Sequence, residues 1–285
     1  METGKECMAN NSSEELPRKV DILRSSDDPE SLERAAVALA SSGDPTAIAE
    51  LGQFLRSSQF LYKLDDLTDP DVKTLHLREV MAALESHPNA TVGELCVELS
   101  RDSNFMSDED RMDFLLEALS SVRPMTDEGV DLFRQTNEDG YFAFNAPLLV
   151  KNGSPRALEL FESMMADHTV TENRRIDSLH RSLLPYRTTL PVLHSVERLV
   201  VADLEHAVAI GLVETIFDYQ SKPWFGPAIG APRPPAWENA SDEALHLILR
   251  LAAVAKERLD LPQPLVAAME KTVRTIENIL ESRKE

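Results

Sequence analysis

The chain of 285 residues is poor in cysteine and glycine, and both shortages exclude whole classes of site. Its two cysteines, Cys7 and Cys96, are too few for a disulfide framework or a thiolate metal site. With ten glycines, the sequence contains neither a phosphate-binding Gly-x-x-x-x-Gly-Lys loop nor a dinucleotide fingerprint, and it has no Gly-x-Ser-x-Gly nucleophile elbow. We therefore predict no cofactor and no catalytic residue.

Long uncharged apolar runs and positive charge are also scarce. No window approaches the roughly eighteen apolar residues of a membrane span, and residues 1–17 lack the apolar region of a secretory signal. We expect no membrane partner and a cytoplasmic location. A net charge of -20 disfavours nucleic acid as a partner. The charge is uneven, with 13 basic and 30 acidic residues up to Phe142 against 16 and 19 beyond it, so the acidic half predicts a protein or peptide partner with a basic surface.

Signals for β-strands are missing, whereas signals for helix starts are frequent. Apolar residues recur at three- and four-residue steps, which favours an all-α chain. Four predicted helices begin with a capping side chain followed by proline, at Asp28-Pro29, Asp44-Pro45, Asp69-Pro70 and Ser154-Pro155. Two of these starts lie in matching frames with a glycine before the cap, LASSGDPTA at 39–47 and LVKNGSPRA at 149–157. This recurrence indicates repeated helix pairs.

The spacing of the pairs indicates a degenerate repeat. Prolines between paired helices stand at 45, 88, 124 and 155, separated by 43, 36 and 31 residues. The segment Ser31–Leu55, SLERAAVALASSGDPTAIAELGQFL, resembles the HEAT-like repeat of the phycobilisome-lyase type. This resemblance implies an α-solenoid, or α-α superhelix, of about six degenerate helix pairs. It specifies packing rather than activity.

Four regions follow from these patterns. We predict a disordered leader at 1–13, HEAT-like helical repeats at 14–220, a Pro/Trp-rich loop at 221–240 and a C-terminal helical hairpin packed on the solenoid at 241–285. The loop contains the chain's only tryptophans, and its candidate binding residues are Trp224, Phe225 and Trp237. These rings either cover the end of the array as a cap, which we favour, or form a lid over a ligand or partner.

A cluster of arginines extends from Arg174 to Arg198, and its candidate binding residues are Arg174, Arg175, Arg181 and Arg187. Several guanidinium groups on neighbouring helices could together bind a carboxylate, a phosphate or an acidic peptide. Acidic residues nearby, such as Glu172 and Glu197, provide the alternative of intramolecular ion pairs, which we favour. Isolated His-x-x-Glu pairs, such as His194 with Glu197, are too sparse to predict a metal site.

Together these features favour a non-catalytic scaffold for protein–protein interaction, with the partner held on the concave face formed by the second helices of the pairs. The first alternative is a lyase-type or chaperone-like enzyme subunit that acts on a protein-bound group. A weaker alternative is nucleic-acid binding through the Arg174 to Arg198 cluster.

Overall fold

The computed structural model describes residues 6–57, 70–107, 110–202, 204–217 and 236–284. Within these ranges the chain forms 14 α-helices and no β-strand, which confirms the all-α prediction. None of the helices described combines the length and apolar character needed to cross a membrane. The chain divides into two compact units, Met1–Leu132 and Phe133–Glu285.

The first unit is built from helices that pack in two layers. Its helices are α1 (Glu6–Ser25), α2 (Pro29–Ala40), α3 (Pro45–Arg56), α4 (Pro70–Ser86), α5 (Ala90–Ser100), α6 (Asp110–Ser121) and the first part of α7 (Asp127–Thr136). Helix α2 packs on α4 and α4 on α6, whereas α3 packs on α5. Helices two apart in the chain are thus neighbours within a layer, and α2 and α3 are in contact as a pair.

The hairpin of α2 and α3 forms for the reasons that its sequence indicates. The Asp28 carboxylate caps α2 by accepting a hydrogen bond from the Ser31 N–H at 3.0 Å, and Asp44 caps α3 by accepting from the Ala47 N–H at 2.9 Å. Between the two helices, Gly43 adopts a φ of +65°, a conformation that glycine accommodates without strain. The predicted apolar stripes are buried, at Leu32, Ala35, Ala36, Leu39, Ile48, Leu51 and Leu55.

The second unit repeats the two-layer arrangement. After the end of α7 it contains α8 (Phe142–Asn152), α9 (Pro155–Ala166), α10 (Glu172–Leu183), α11 (Leu190–Val201), α12 (His206–Ile216), α13 (Asp242–Arg258) and α14 (Gln263–Ser282). Helices α8, α10 and α12 pack in succession in one layer, and α9, α11 and α13 pack in succession in the other. Contacts of this kind within each unit are compatible with stacked helix pairs, and the solenoid stays a prediction.

Three sequence expectations differ from the structure or lie outside its described part. Helix α1 begins at Glu6, so it overlaps the segment 1–13 for which a disordered leader is predicted. The predicted side-chain cap at Ser154 is absent, and the turn is held instead by Asn152, whose Oδ1 accepts from the Ser154 N–H at 3.2 Å. Asp69, the remaining predicted cap, lies outside the described residues.

Candidate functional site

The layer of α9, α11 and α13 in the second unit presents a polar face. On α11 the apolar stripe of Val192, Val196 and Leu199 is buried, since these side chains recur at four and three residues. The same periodicity leaves His194, Glu197 and Arg198 toward the surface, with side chains 44%, 21% and 56% exposed. This face belongs to the second helices of the pairs.

Glu162 on α9 accepts three hydrogen bonds from α11. Arg198 donates through Nε at 3.1 Å and through Nη2 at 2.6 Å, and the fully buried Ser195 donates through Oγ at 2.7 Å. The hydrogen bond to Glu162 is the largest cause that raises the pKa of Arg198 above its ordinary value. Because the Glu162 side chain is only 19% exposed, the carboxylate is recessed and the guanidinium faces solvent.

Glu197 on α11 is bound in the same way by α13. Nε and Nη2 of Arg250 lie 2.5 and 2.9 Å from Oε1 and Oε2 of Glu197. The pKa of Glu197 is lowered, first by its hydrogen bond with Arg250 and to a smaller extent by the nearby His194. Again the cation is the more exposed partner, at 57% for Arg250 against 21% for Glu197. We refer to Glu162, Arg198, Glu197 and Arg250 as the α9–α13 ladder.

Among the described residues of the first unit, Arg24 on α1 pairs with Glu50 on α3 at 2.7 Å, and Arg56 on α3 pairs with Glu98 on α5. In the first of these pairs the arginine is the more exposed partner, at 62% against 24%, and in the second the order is reversed. Arg56 pairs with Glu98, and the Glu98 carboxylate is 56% exposed against 34% for the Arg56 side chain. Charge-assisted pairs of this type therefore join neighbouring second helices in both units. In the α9–α13 ladder the guanidinium groups are the outer partners.

Three of the four arginines predicted to bind contact other groups of the second unit, Arg174 and Arg175 through hydrogen bonds and Arg187 through a ring. Arg175, only 1% exposed, donates through Nη1 to the Met165 carbonyl at 2.9 Å and through Nη2 to the Glu205 carboxylate. The other oxygen of Glu205 lies 2.9 Å from Nδ1 of His168, and the pKa of Glu205 is lowered first by this contact and then by Arg175. The exposed Arg174 donates through Nη2 to the Gly140 carbonyl at 2.5 Å. These contacts connect loops and helices of the second unit.

Arg181 is exposed on α10, which belongs to the other layer, so it does not join the α9–α13 ladder. Arg187 is 7% exposed and stacks on the ring of Trp237, with its guanidinium carbon 4.1 Å from the ring centroid. The predicted arginine cluster thus divides among separate contacts. Trp224 and Phe225 lie outside the described residues.

Among the described residues, the polar groups that could bind another molecule are mainly charged side chains in ion pairs. Burial raises the pKa of the Cys96 thiol to about 12, which keeps that sulfur protonated at neutral pH. No set of three His, Cys, Asp or Glu side chains within the described part of the chain is arranged to hold a metal ion. What this face provides is a set of oriented guanidinium groups suited to charge-assisted hydrogen bonds.

Sequence reasoning found Arg198 and Glu197 but missed their partners. Glu162 lies 36 positions before Arg198, and Arg250 lies 53 positions after Glu197. Such separations leave no local pattern, because the pairs form only when second helices of successive helix pairs become neighbours. In comparisons with known proteins, no family model, no curated protein and no solved structure matches the chain.

Proposed function

We propose that the chain is a non-catalytic protein interaction scaffold acting in the cytoplasm. The observation that carries this proposal is the packing of helices two apart in the chain, in two layers, within each unit. In stacked helix pairs, the core lies between the two layers, and the outer side of each helix remains available along the array. An α-solenoid of this kind would present the second helices as an extended surface for a protein or peptide.

The charge distribution supports a basic partner for the amino-terminal half. This half carries the great majority of the net charge of -20, so its field attracts a basic surface and accelerates the encounter with it. The first-unit Lys variant reverses the charge of three exposed acidic residues, Asp21, Glu79 and Glu94, by replacing each with lysine. The second-unit Lys variant, the matched control, replaces three exposed acidic residues of the second unit with lysine, namely Glu257, Glu277 and Glu281.

The test is capture of partners from a native lysate, with mass spectrometry of both proteins and small molecules. The wild-type chain and the second-unit Lys variant should retain a stoichiometric protein with a basic surface. The first-unit Lys variant should retain about tenfold less of that protein. Retention by the first-unit variant would contradict the basic-partner proposal. Recovery of a stoichiometric small molecule with no protein would favour the lyase-type alternative instead.

A further inference from the structure

Four charged or titratable side chains of the second unit meet where two connections between helices come together. Asp167 and His168 lie on the connection from α9 to α10, Arg175 lies on α10, and Glu205 immediately precedes α12. One oxygen of Glu205 lies 2.9 Å from Nδ1 of His168, and the other accepts a hydrogen bond from Nη2 of Arg175. We refer to these four residues as the Glu205 cluster.

The charges of the Glu205 cluster do not balance while His168 is neutral. Asp167 and Glu205 are negative, Arg175 is positive, and His168 adds a charge only when it is protonated. The pKa of Glu205 is lowered first by its hydrogen bond with His168. The pKa of Asp167 is lowered first by hydrogen bonds from Thr169, and also by Arg175 and His168. Because both carboxyls therefore stay ionised at neutral and mildly acidic pH, one proton on His168 cancels the excess negative charge.

His168 is the member of the cluster most open to solvent, so its protonation can follow the pH of the solution. Its side chain is 64% exposed, against 35% for Glu205 and 1% for Arg175. Within the described part of the chain, the charged groups that face His168 are Asp167 on its own connection and Glu205 at the start of α12. Arg175 of α10 binds the far oxygen of Glu205. Histidine is the side chain whose charge ordinarily changes between about pH 5 and 8.

We propose that the Glu205 cluster is a pH-sensitive clasp, in which protonation of His168 holds the α9–α10 connection more tightly to the start of α12. A charged imidazole attracts Glu205 and Asp167, whereas a neutral imidazole keeps only its hydrogen bond. The added stabilisation is therefore present in mildly acidic solution and is lost as the pH rises and the proton leaves. The buried Arg175 gives the clasp a fixed side, because it holds both the Glu205 carboxylate and the Met165 carbonyl. The clasp would act whether or not the chain binds a partner.

The experiment measures local opening of the full chain by native-state hydrogen exchange and mass spectrometry. Because the His168 side chain is more than half exposed, solvent screens its charge, and the effect should be modest and confined to the segments that the clasp joins. Those segments are covered by peptides of residues 165–175 and 204–209. Wild type and His168→Gln are compared at the same pH, so that the intrinsic effect of pH on exchange cancels. Protection of both peptides should be similar in the two proteins at about pH 7.5 and about threefold greater in wild type at about pH 5.5.

Two further variants test whether the proton on His168 causes the change. His168→Lys carries its charge at both pH values, so the difference in protection between it and His168→Gln should not change with pH. His246→Gln is the matched control, because it removes an exposed imidazole whose Nδ1 lies 2.7 Å from the backbone carbonyl of Asp242 rather than beside a carboxylate. It should leave the protection of both peptides as it is in wild type.

Three results would overturn the clasp. The first is that wild type is no better protected than His168→Gln at about pH 5.5. The second is that peptides of the first unit change as much as the two clasp peptides, which would show a global effect. The third is that His168→Lys keeps the pH dependence of wild type, which would assign the titration to another group.

Discussion

The guanidinium of Arg187 stacks on the indole ring of Trp237, with 4.1 Å between the guanidinium carbon and the ring centroid. Arg187 follows α10 and Trp237 precedes α13, so the contact joins two connections of the second unit. Arg283, the residue that follows α14, holds the same turn by donating to the carbonyls of Ala240 at 3.0 Å and Glu238 at 2.7 Å. These contacts give the segment that contains Trp237 a structural role within the second unit, and the cap stays a prediction.

Substitution of Trp237 should therefore destabilise the protein. Because Arg187 is 7% exposed, the stacking is largely shielded from water, and Trp237→Ala should lower the free energy of unfolding by about 2 kcal/mol. Trp237→Phe keeps an aromatic face and should lower it by about half as much. Urea denaturation followed by circular dichroism measures both changes. Equal stability of Trp237→Ala and wild type would show that the stacking contributes nothing.

Arg175 is a buried charge, and we expect its loss to lower the free energy of unfolding strongly. Its guanidinium is 1% exposed and serves both the Met165 carbonyl and the Glu205 carboxylate, which is 35% exposed. Arg175→Gln should lower the free energy of unfolding by about 3 kcal/mol, because it leaves a buried carbonyl and a half-buried carboxylate without their donor.

The exposed Arg34 provides the comparison for this loss. Arg34→Gln removes a surface pair within α2 and should change stability by less than about 0.5 kcal/mol. Chemical denaturation of both variants at pH 7 and matched salt measures the difference. If Arg175→Gln and Arg34→Gln lower the free energy of unfolding by similar amounts, the structural importance assigned to Arg175 is refuted.

The capping side chains of the two matching repeat frames, Asp44 and Ser154, should contribute differently to the free energy of unfolding. Asp44 accepts a hydrogen bond from the Ala47 N–H, whereas Ser154 makes no side-chain capping bond. Asp44→Ala should therefore lower the free energy of unfolding by about 1 kcal/mol, and Ser154→Ala should cost clearly less. Thermal unfolding monitored by calorimetry compares the two variants directly. A larger loss at Ser154 would contradict the difference in capping.

Glu197 should contribute to stability in a pH-dependent way. Its pKa in the folded protein is lowered by Arg250, below the value of about 4.3 expected for an unfolded chain. A lowered folded pKa means that the stabilisation is complete above about pH 4.3 and is lost as pH falls through the folded value. The stability difference between wild type and Glu197→Gln should shrink as the pH falls below about 4.3 through the folded pKa of Glu197.

Thermal melts of both proteins across that range measure this difference. Glu277→Gln, at an exposed position of α14, is the control for a general change in net charge. If the difference between wild type and Glu197→Gln grows as the pH falls below about 4.3, the direction of the pKa shift is refuted.

Local sequence was sufficient for much of the helical structure. The proline starts at Pro29, Pro45, Pro70 and Pro155 are the first residues of α2, α3, α4 and α9, because proline's fixed φ suits the first turn and its missing N–H costs nothing there. Gly43 and Gly153 adopt φ values of +65° and +66° at the matching frames, as helix-ending glycines do. These features depend on neighbours within a few residues and can be predicted from them.

The sequence by itself determined an all-α chain, the positions of its helix starts and the apolar stripes that become the core, because each of these depends on periodicity and capping along one short segment. Tertiary structure decided which charges meet. Arg175 and Arg187, which the sequence predicts as candidate binding residues, are buried in contacts with Glu205 and Trp237. The α9–α13 ladder pairs residues 36 and 53 positions apart, and only the packing of second helices brings such groups within hydrogen-bond distance.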